Sequence, residues 1–370
     1  MGIKQLKQFL KKRGSRAFPI MPLSGFKGKI LAVDLLNWFI TYLNAVFKSI
    51  TDATIDPLDD INMDMVLAGV IDHFIKFNLK LFKQGIIPLW IKDGKSKQSK
   101  AVTQKERRKT RAQNMEKRDK LKEQLMGMSP LERPQELMNK YRKISAGCAY
   151  LPYKQREVFF DFIFKCGIPA IEASDEAENL ACSLYVERKV HFIWSADTDC
   201  LPLEGDFIVK KFAYNGGKLY FETMLTSVIL SELGMCKKQF RDFCILLGTD
   251  FNSNPALIGP VNALKLIKKY GNLEAIEKDT QHMDFIKYKE IRGQLSPYKT
   301  GISLDQLLIN KDVEIGVLQS YTDSPHLLQF YNDMIELNEP HIKYINYMER
   351  PLVSVVKEPE EEPKTDPGKG

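Results

Sequence analysis

The sequence has no long apolar run. None of its 370 residues lies in a stretch that approaches the roughly 18 consecutive apolar residues of a membrane-spanning helix. The first residues, MGIKQLKQFLKK, alternate apolar and basic side chains and do not have the form of a secretory leader. We therefore expect an intracellular protein that makes no membrane contact.

The sequence is also poor in the patterns that bind zinc. Its histidines are scattered and form no HExxH motif, and its six cysteines form no CxxC pair. Structural and catalytic zinc sites use such closely spaced ligands. A zinc site is not expected, and the cysteines are interpreted as reduced core residues.

Positive charge is concentrated in one segment. Twelve basic and four acidic residues lie between Lys95 and Gln124, so this segment carries +8 while the whole chain carries +7. Such a segment is typical of a contact with a polyanion, and equally of a solvated helix face. Its Lys, Arg, Gln and Glu content predicts a helix.

Short apolar runs alternate with segments of helical periodicity. The runs KGKILAVD, GIIPLWIKDG, GIPAIEAS and HFIWSAD predict four strands. This alternation predicts an α/β fold with a mainly parallel central sheet flanked by helices. A hairpin is predicted around Asn215-Gly216-Gly217, and residues 126–147 are interpreted as a break and turn region because they contain several glycines and prolines.

Acidic residues follow each of the four predicted strands. They are Asp34, Asp93, Glu176, Glu178, Asp197 and Asp199. Ligands of open α/β sheets bind outside the carboxyl ends of the strands. Because an unneutralised cluster of this kind would repel itself, we expect it to hold cations.

Asp197 and Asp199 lie one residue apart in IWSADTDCL. If the strand stays extended there, both carboxylates point to one face and Thr198 turns away toward the core or a helix.

The candidate ligands are carboxylates without histidine or cysteine. Hard oxygen ligands favour Mg²⁺ or Mn²⁺, and their number suggests two ions. Two such ions ~4 Å apart can activate water and stabilise the leaving oxygen of a phosphodiester. Together with the basic segment, the acids predict hydrolysis of nucleic-acid phosphodiesters.

A further acid, Asp250, lies in LLGTDF, ahead of the loop and helix predicted in IGPVNALKLI. A helix that begins at Gly259-Pro260 can offer backbone N–H groups to a phosphate, although an ordinary helix start is equally consistent with this stretch. Lys265, Lys268 and Lys269 follow.

Taken together, these motifs resemble the flap endonuclease/XPG family of structure-specific 5′-nucleases. The resemblance runs in order through MGIKQLKQFL, ILAVDLLNWF, PLWIKDGK, SDEAENLA, SADTDCL, LLGTDF and IGPVNALKLI, from residue 1 to about residue 272. It implies a PIN-like 5′-nuclease fold with a helical arch and a helix-two-turn-helix element.

The resemblance also implies roles for particular residues. Glu178, Asp197 and Asp199 would be the more direct ligands of two metal ions, and Asp34, Asp93, Glu176 and Asp250 would act partly through water. Lys100 and Arg107 would hold the scissile phosphate, because residues seven apart lie on one face of a helix. DNA contacts are expected from Gly2, Lys95, Lys97, Arg108, Arg111, Gly259, Lys265, Lys268 and Lys269.

The implied substrate is branched or nicked duplex DNA with a 5′ single-stranded end, and the implied place of action is the nucleus or another site of DNA replication. A K⁺ ion at the helix-two-turn-helix element is an additional implied ligand, although Leu257 occupies a position that is usually glycine. Ile40 replaces a base-stacking tyrosine, for which Trp38 and Tyr42 are the candidate substitutes. We find no sliding-clamp peptide and expect a monomer.

The expected organisation has five parts. Residues 1–94 form the first nuclease region, 95–150 the basic arch, 151–272 the second nuclease region with the helix-two-turn-helix, 273–350 a carboxyl-terminal helical region, and 351–370 an acidic, proline-rich disordered tail.

Three alternatives to a flap endonuclease stay open. An exonuclease-1-like 5′→3′ exonuclease belongs to the same family. A haloacid-dehalogenase-type phosphatase also has a DxD motif after a strand. A catalytically dead DNA-binding scaffold would have lost a carboxylate, and all seven are present.

Overall fold

The computed structural model describes residues 2–53, 56, 58–94, 101–255, 258–279 and 287–337, with only the backbone for residues 101–108. In these residues, seven strands form one mixed sheet in the order β1-β7-β6-β5-β2-β3-β4. The strands are β1 (Ile20–Pro22), β2 (Ile30–Asp34), β3 (Ile87–Lys92), β4 (Ala170–Glu172), β5 (Phe192–Trp194), β6 (Phe207–Asn215) and β7 (Lys218–Leu225). Neighbours from β4 to β6 run parallel, whereas β7 and β1 are antiparallel. The prediction of a mainly parallel sheet is confirmed.

Helices connect the strands and cover both faces of the sheet. They are α1 (Leu6–Lys12), α2 (Leu35–Ala53), α3 (Met63–Phe82), α4 (Ala101–Met126), α5 (Gln135–Gly147), α6 (Tyr153–Lys165), α7 (Ala177–Val186), α8 (Thr226–Leu233), α9 (Lys237–Leu247), α10 (Pro260–Tyr270), α11 (Leu273–Asp279), α12 (Tyr288–Gln294), α13 (Ile315–Gln319) and α14 (Leu327–Glu336).

Strand β2 is apolar on both faces because it lies in the middle of the sheet. Ile30 and Ala32 join one hydrophobic cluster, which includes residues of α1, α7, α9 and α10. Leu31 and Val33 join the other, which includes residues of α2, α3, α6 and α14. Successive side chains of a strand point to opposite faces, so a continuous apolar run is what a strand between two helical layers requires.

The predicted hairpin is present between β6 and β7. Gly216 and Gly217 have φ angles of 54° and 74° and separate the paired residues Asn215 and Lys218. Two consecutive residues in the left-handed region form the tight turn that matches the twist of antiparallel strands.

The interpretation of residues 126–147 as a break and turn region is wrong for its second half. A helix, α5, occupies Gln135–Gly147. Pro134 is its N-cap, where the missing N–H of proline is not needed, and Gly147 is its last residue. The helix is held by packing, because Met138 and Tyr141 bury against Leu121 and Leu125 of α4.

Among the described residues, no helix is both long and apolar enough to cross a membrane.

Candidate active site

The parallel strands bring acidic residues to one edge of the sheet. β2 lies between β5 and β3, and β3 pairs in parallel with β4, so the carboxyl ends of all four strands meet. Asp34 is the last residue of β2, Asp93 follows β3, and Asp197 follows β5. After β4 the chain turns at Glu176, the N-cap of α7, and Glu178 lies in the first turn of that helix.

Asp34 and Glu178 are joined by a side-chain hydrogen bond. Burial raises the pKa of Asp34 to about 7, and the charges of Asp93 and Asp197 act in the same direction. Burial also raises the pKa of Glu178 well above its usual range, and the charge of the nearby Asp34 carboxylate is the second cause. Two carboxyl groups can share a hydrogen bond only when one holds a proton, and a divalent cation satisfies the same pair without that proton.

Asp93 is fixed by the start of α7. The N–H of Ala177 donates a hydrogen bond to Asp93 Oδ1 at 2.7 Å, so the carboxylate lies at the amino-terminal end of the helix. Helix N-termini favour negative charge. Glu176 is the preceding residue, with extended backbone and a half-buried side chain.

Asp197 and Asp199 do not continue an extended strand, and the expected alternation of their side chains is wrong. β5 ends at Trp194, and residues Thr198–Cys200 form a turn of 3₁₀-helix with Asp197 as its N-cap. The N–H of Asp199 donates to Asp197 Oδ1 at 3.1 Å. An aspartate in this position caps the turn, which competes with continuation of the strand.

The turn separates the surroundings of the two aspartates. Asp197 is half-buried and its charge acts on both Asp34 and Glu178. Asp199 is 6% exposed and its charge contributes, after burial, to raising the pKa of Cys244 in α9. Asp197 therefore faces the carboxylate pair, and Asp199 lies toward the α9 side of the edge.

The amino-terminal segment packs directly on this turn. The N–H of Ile3 donates to Thr198 Oγ1 at 2.8 Å, so Thr198 faces residues 2–3. A Cβ atom on Gly2 would lie 2.0 Å from Asp197 Oδ1, and Gly2 has a φ of 88°. Gly2 was predicted as a DNA contact; its described contacts are with Asp197 and Thr198. The contact between Thr198 and the amino-terminal segment does not follow from the sequence, because it joins residues 195 positions apart.

Asp250 lies in the turn that follows α9 and is half-buried. The N–H of Lys4 donates to the Gly248 carbonyl at 3.2 Å, so the amino-terminal segment contacts both this turn and Thr198. Among the described residues, no three histidine, cysteine or acidic side chains form a ready group of metal ligands. The donors brought together by Asp34, Glu178 and Asp197 are nevertheless all carboxylates, which fit Mg²⁺ or Mn²⁺.

The basic segment is only partly described. Lys95, Lys97 and Lys100 lie outside the described residues, and Arg107 and Arg108 belong to α4 without described side chains. Arg111 is exposed on α4, and its guanidinium carbon lies 5.1 Å from the centre of the Tyr150 ring.

Helix α10 begins as predicted at Gly259-Pro260, with Gly259 as the extended N-cap. Leu257 lies outside the described residues. Lys265, Lys268 and Lys269 are exposed and, together with Arg13 of the α1 terminus, line an open groove. Lys268 Nζ also donates to the Gly234 carbonyl at 2.8 Å. Sequence spacing could not identify Arg13, which comes from a distant part of the chain.

Neither proposed substitute for the base-stacking tyrosine offers an open ring. Trp38 is fully buried, and Tyr42 is half-buried and stacked on Trp38 with ring centres 4.6 Å apart. Ile40 is 46% exposed on the same helix. Helical periodicity explains the difference, since Trp38 and Tyr42 lie on the face of α2 that packs on α3.

Comparisons with known proteins give a consistent result. Flap endonuclease 1 of Entamoeba dispar is 26% identical over 88% of this chain and 84% of its own length. The solved structure of flap endonuclease-1 from Methanococcus jannaschii superposes with a TM-score of 0.58 at 21% identity, covering 86% of this chain and 96% of that one. The catalytic core of Rad2 in complex with DNA substrate superposes with a TM-score of 0.56 at 18% identity, covering 91% and 100%. The fold is therefore shared with these nucleases.

Two family models match the chain itself. The XPG N-terminal domain matches residues 1–114, and the XPG I-region matches residues 167–250. Their combined span exceeds half of the chain and includes all seven acidic residues discussed above. The chain belongs to the XPG family.

Proposed function

We propose that this protein is a divalent-metal-dependent, structure-specific 5′-nuclease that hydrolyses DNA phosphodiesters at 5′ flaps or similar junctions. The observation that carries the proposal is the meeting of Asp34, Glu178 and Asp197 at the carboxyl edge of the sheet. The names of its relatives, flap endonuclease 1 above all, support the same activity. DNA replication, repair and recombination are the processes that use this chemistry.

We propose that two Mg²⁺ or Mn²⁺ ions bind at this edge. Glu178, Asp197 and Asp199 would hold them most directly, and Asp34, Asp93, Glu176 and Asp250 would act partly through water. Bound in this way, the ions supply an activated water and stabilise the charge that develops on the leaving oxygen.

The residues of the chain orient these ligands. The hydrogen bond from Ala177 fixes Asp93, and the N–H of Asp199 fixes Asp197. The amino-terminal segment closes one side of the site, because Gly2 lies against Asp197 and Ile3 is bonded to Thr198. Preorganised ligands of this kind cost no rearrangement when the substrate binds.

Basic residues would place the DNA. Lys100 and Arg107 would hold the scissile phosphate, and Lys95, Lys97, Arg108 and Arg111 would contact nearby phosphates. On the other side, Gly259, Lys265, Lys268 and Lys269 would bind the backbone of the duplex, and the position of Arg13 adds a further cation there. A K⁺ ion in the loop before α10 is also part of the proposal.

The substrate is expected to be branched or nicked duplex DNA with a 5′ single-stranded end. The protein is expected to act as a monomer in the nucleus or at another site of DNA replication. The exonuclease-1-like activity is the second candidate, and the family match supports both branches. The same match gives no support to the phosphatase alternative.

A cleavage panel tests the proposal. We expect Mg²⁺-dependent cleavage of a 5′-flap substrate in preference to nicked, bubble and Holliday-junction DNA. Release of short oligonucleotides would indicate flap cleavage, whereas mononucleotides would indicate the exonuclease. No cleavage of any substrate with Mg²⁺ or Mn²⁺ would refute the proposal.

Asp199→Ala tests the metal assignment, and Asp199→Asn tests it with the side-chain volume retained. We expect turnover to fall at least about 100-fold with DNA binding unchanged. Asp206→Asn is the matched control, because Asp206 is also buried and its Oδ1 accepts from Ser227 N–H at 2.7 Å, at the opposite edge of the sheet. Retained cleavage in both Asp199 variants would refute the assignment.

A further inference from the structure

Two tyrosines, Tyr150 just ahead of α6 and Tyr153 at its first residue, are exposed in a protein that buries most of its described aromatic side chains. Tyr150 is 46% exposed and Tyr153 is 65% exposed, whereas Phe159 and Phe162 on the same helix are fully buried. Two large aromatic rings that stay exposed do not contribute the stability that their burial would give. A ligand with flat apolar faces is one way to recover it.

Each of these rings has an arginine over it. The guanidinium carbon of Arg111 lies 5.1 Å from the centre of the Tyr150 ring, and that of Arg156 lies 5.6 Å from the centre of the Tyr153 ring. Lys154, the residue after Tyr153, is also exposed. Cations beside aromatic rings are suited to bind a single nucleic-acid strand, because the rings can stack on its bases and the cations can bind its phosphates.

The arginine on Tyr150 comes from a part of α4 whose described side chains are exposed. Leu121 and Leu125 anchor the end of α4 against α5. Residues Lys109–Arg111 and Lys117 are exposed on the preceding turns. Arg111 and Tyr150 therefore line the space between the basic helix and the start of α6.

Tyr150 and Tyr153 lie toward the same edge of the sheet as the carboxylates, the edge formed by the carboxyl ends of the parallel strands. After α6 ends at Lys165, the chain enters β4 at the amino-terminal edge, so the start of α6 lies toward the carboxyl edge. Lys92, the neighbour of Asp93, has its Nζ 5.2 Å from the Phe160 ring centre. Tyr153 is two helical turns from Phe160, a distance of about 10 Å.

We propose that Tyr150 and Tyr153, with Arg111 and Arg156, form a stacking surface for bases in the single-stranded 5′ end of the substrate. The inference rests on the proposed function, since the single-stranded end belongs to the substrate proposed above. Bases stack on the tyrosine rings, and the arginines bind the phosphates between them. Stacking of this kind tolerates any base sequence, as a 5′ end of variable sequence requires.

Binding is measured first, by fluorescence anisotropy at one fixed salt concentration. The probes are a labelled single-stranded oligonucleotide and a blunt duplex of equal length. We expect Tyr150→Ala/Tyr153→Ala to weaken single-strand binding about tenfold for each stacked base and to leave duplex binding unchanged. Tyr150→Phe/Tyr153→Phe is the matched control, because phenylalanine keeps the ring and is expected to bind within about twofold of the parent protein. Both tyrosines are exposed, so the melting temperature should not change.

Cleavage then separates this inference from the proposed function. We expect the double alanine variant to raise KM on a flap with a long single-stranded tail and to leave a nicked substrate without a tail unaffected. Equal effects on both substrates, or no effect on the tailed one, would overturn the stacking surface while the nuclease assignment stands. If the double alanine variant lost single-strand binding but the parent protein cleaved no substrate, the stacking surface would be supported and the proposed function would be refuted.

Discussion

Gly2 occupies a position that no other residue fits. A Cβ atom there would lie 2.0 Å from Asp197 Oδ1 and 2.5 Å from Thr198 Oγ1, and the backbone is in the left-handed region. Displacement of the amino-terminal segment would therefore move a carboxylate of the proposed metal site.

We expect Gly2→Ala to reduce cleavage about tenfold or more, because Asp197 and Thr198 must shift. Gly14→Ala is the matched control, since Gly14 has a similar φ of 68° and a Cβ atom added there would meet no atom within 4 Å. Both variants carry the cost of a left-handed alanine, about 1 kcal/mol, but only Gly2→Ala meets the clash. Steady-state cleavage and thermal unfolding of both proteins check this; equal cleavage by the two would contradict it.

His191 joins the start of β5 to the start of β2. Its backbone N–H donates to the Ile30 carbonyl at 2.9 Å, and its Nδ1 accepts the Ile30 N–H at 3.0 Å. Nδ1 can accept only when the ring is neutral. Burial lowers the pKa of His191 to about 4, and the charge of Lys29 adds to this.

The lowered pKa predicts a loss of stability in mild acid. The unfolded chain protonates His191 near pH 6.5, while the folded chain does not do so until about pH 4. The contribution is therefore fully present above pH 6.5 and is lost as the pH falls from 6.5 to about 4, by on the order of 3 kcal/mol. Denaturant unfolding of His191→Asn, which keeps an acceptor but does not titrate, should show a smaller loss over this range. An unchanged pH profile in the variant would contradict the assignment.

At the scale of elements, α4 is a helix that the sequence identifies by composition and that tertiary packing holds at one end. Lys and Arg favour the helix, and among its described side chains Leu121 and Leu125 are buried, where they pack against α5. The first side chains of α4 that the structure describes, Lys109, Thr110 and Arg111, are exposed, which is consistent with a role in substrate contact.

We expect Lys100→Ala/Arg107→Ala to lower turnover about 100-fold or more and to change DNA affinity much less, because these residues are proposed to stabilise charge in the transition state. Lys109→Ala/Lys117→Ala removes two positive charges from exposed positions of α4 and is the control. Single-turnover cleavage and binding at several salt concentrations distinguish the two effects. A loss of affinity with its salt slope, at unchanged turnover, would show that the pair only attracts DNA.

Two local structures, the 3₁₀ turn after β5 and the start of α5, are set by capping residues and are not predicted by hydrophobic periodicity. The side chain of Asp197 caps a 3₁₀ turn, which ends the strand before the second aspartate. Proline at the N-cap begins α5 rather than breaking it, and the helix is then stabilised by contacts with α4. In both places the backbone conformation depends on where the residue lies relative to the helix start, and residue type alone does not predict it.

At the scale of the molecule, the carboxylates are held together by a sheet with a hydrophobic layer on each face. The layers fix the four parallel strands, and the strands fix Asp34, Asp93 and Asp197 close enough for the charges of the other two to raise the pKa of Asp34. The packing of the two layers therefore holds the carboxylates together against their mutual repulsion. A bound cation should reduce this repulsion and so stabilise the folded protein.

We expect Mg²⁺ to raise the melting temperature at neutral pH and a chelator to reverse this rise and abolish cleavage while the fold is retained. Asp197→Asn should reduce the Mg²⁺-dependent rise, because it removes one ligand charge. Differential scanning calorimetry and far-UV circular dichroism provide the measurements. Unfolding on chelation would instead indicate a structural metal, and an unchanged melting temperature would argue against binding at this edge.

Three features of the protein can be predicted from its amino-acid sequence alone: the alternation of strands and helices, the hairpin at Gly216-Gly217 and the acidic residues at strand ends. Apolar period, turn glycines and charge are local properties, so they can be recognised within a short segment. Other contacts depend on how the chain folds: Gly2 and Thr198 meet Asp197, Asp34 pairs with Glu178, and Arg13 joins the lysines of α10. These contacts join distant parts of the chain, and their distances depend on how the sheet and its two helical layers pack.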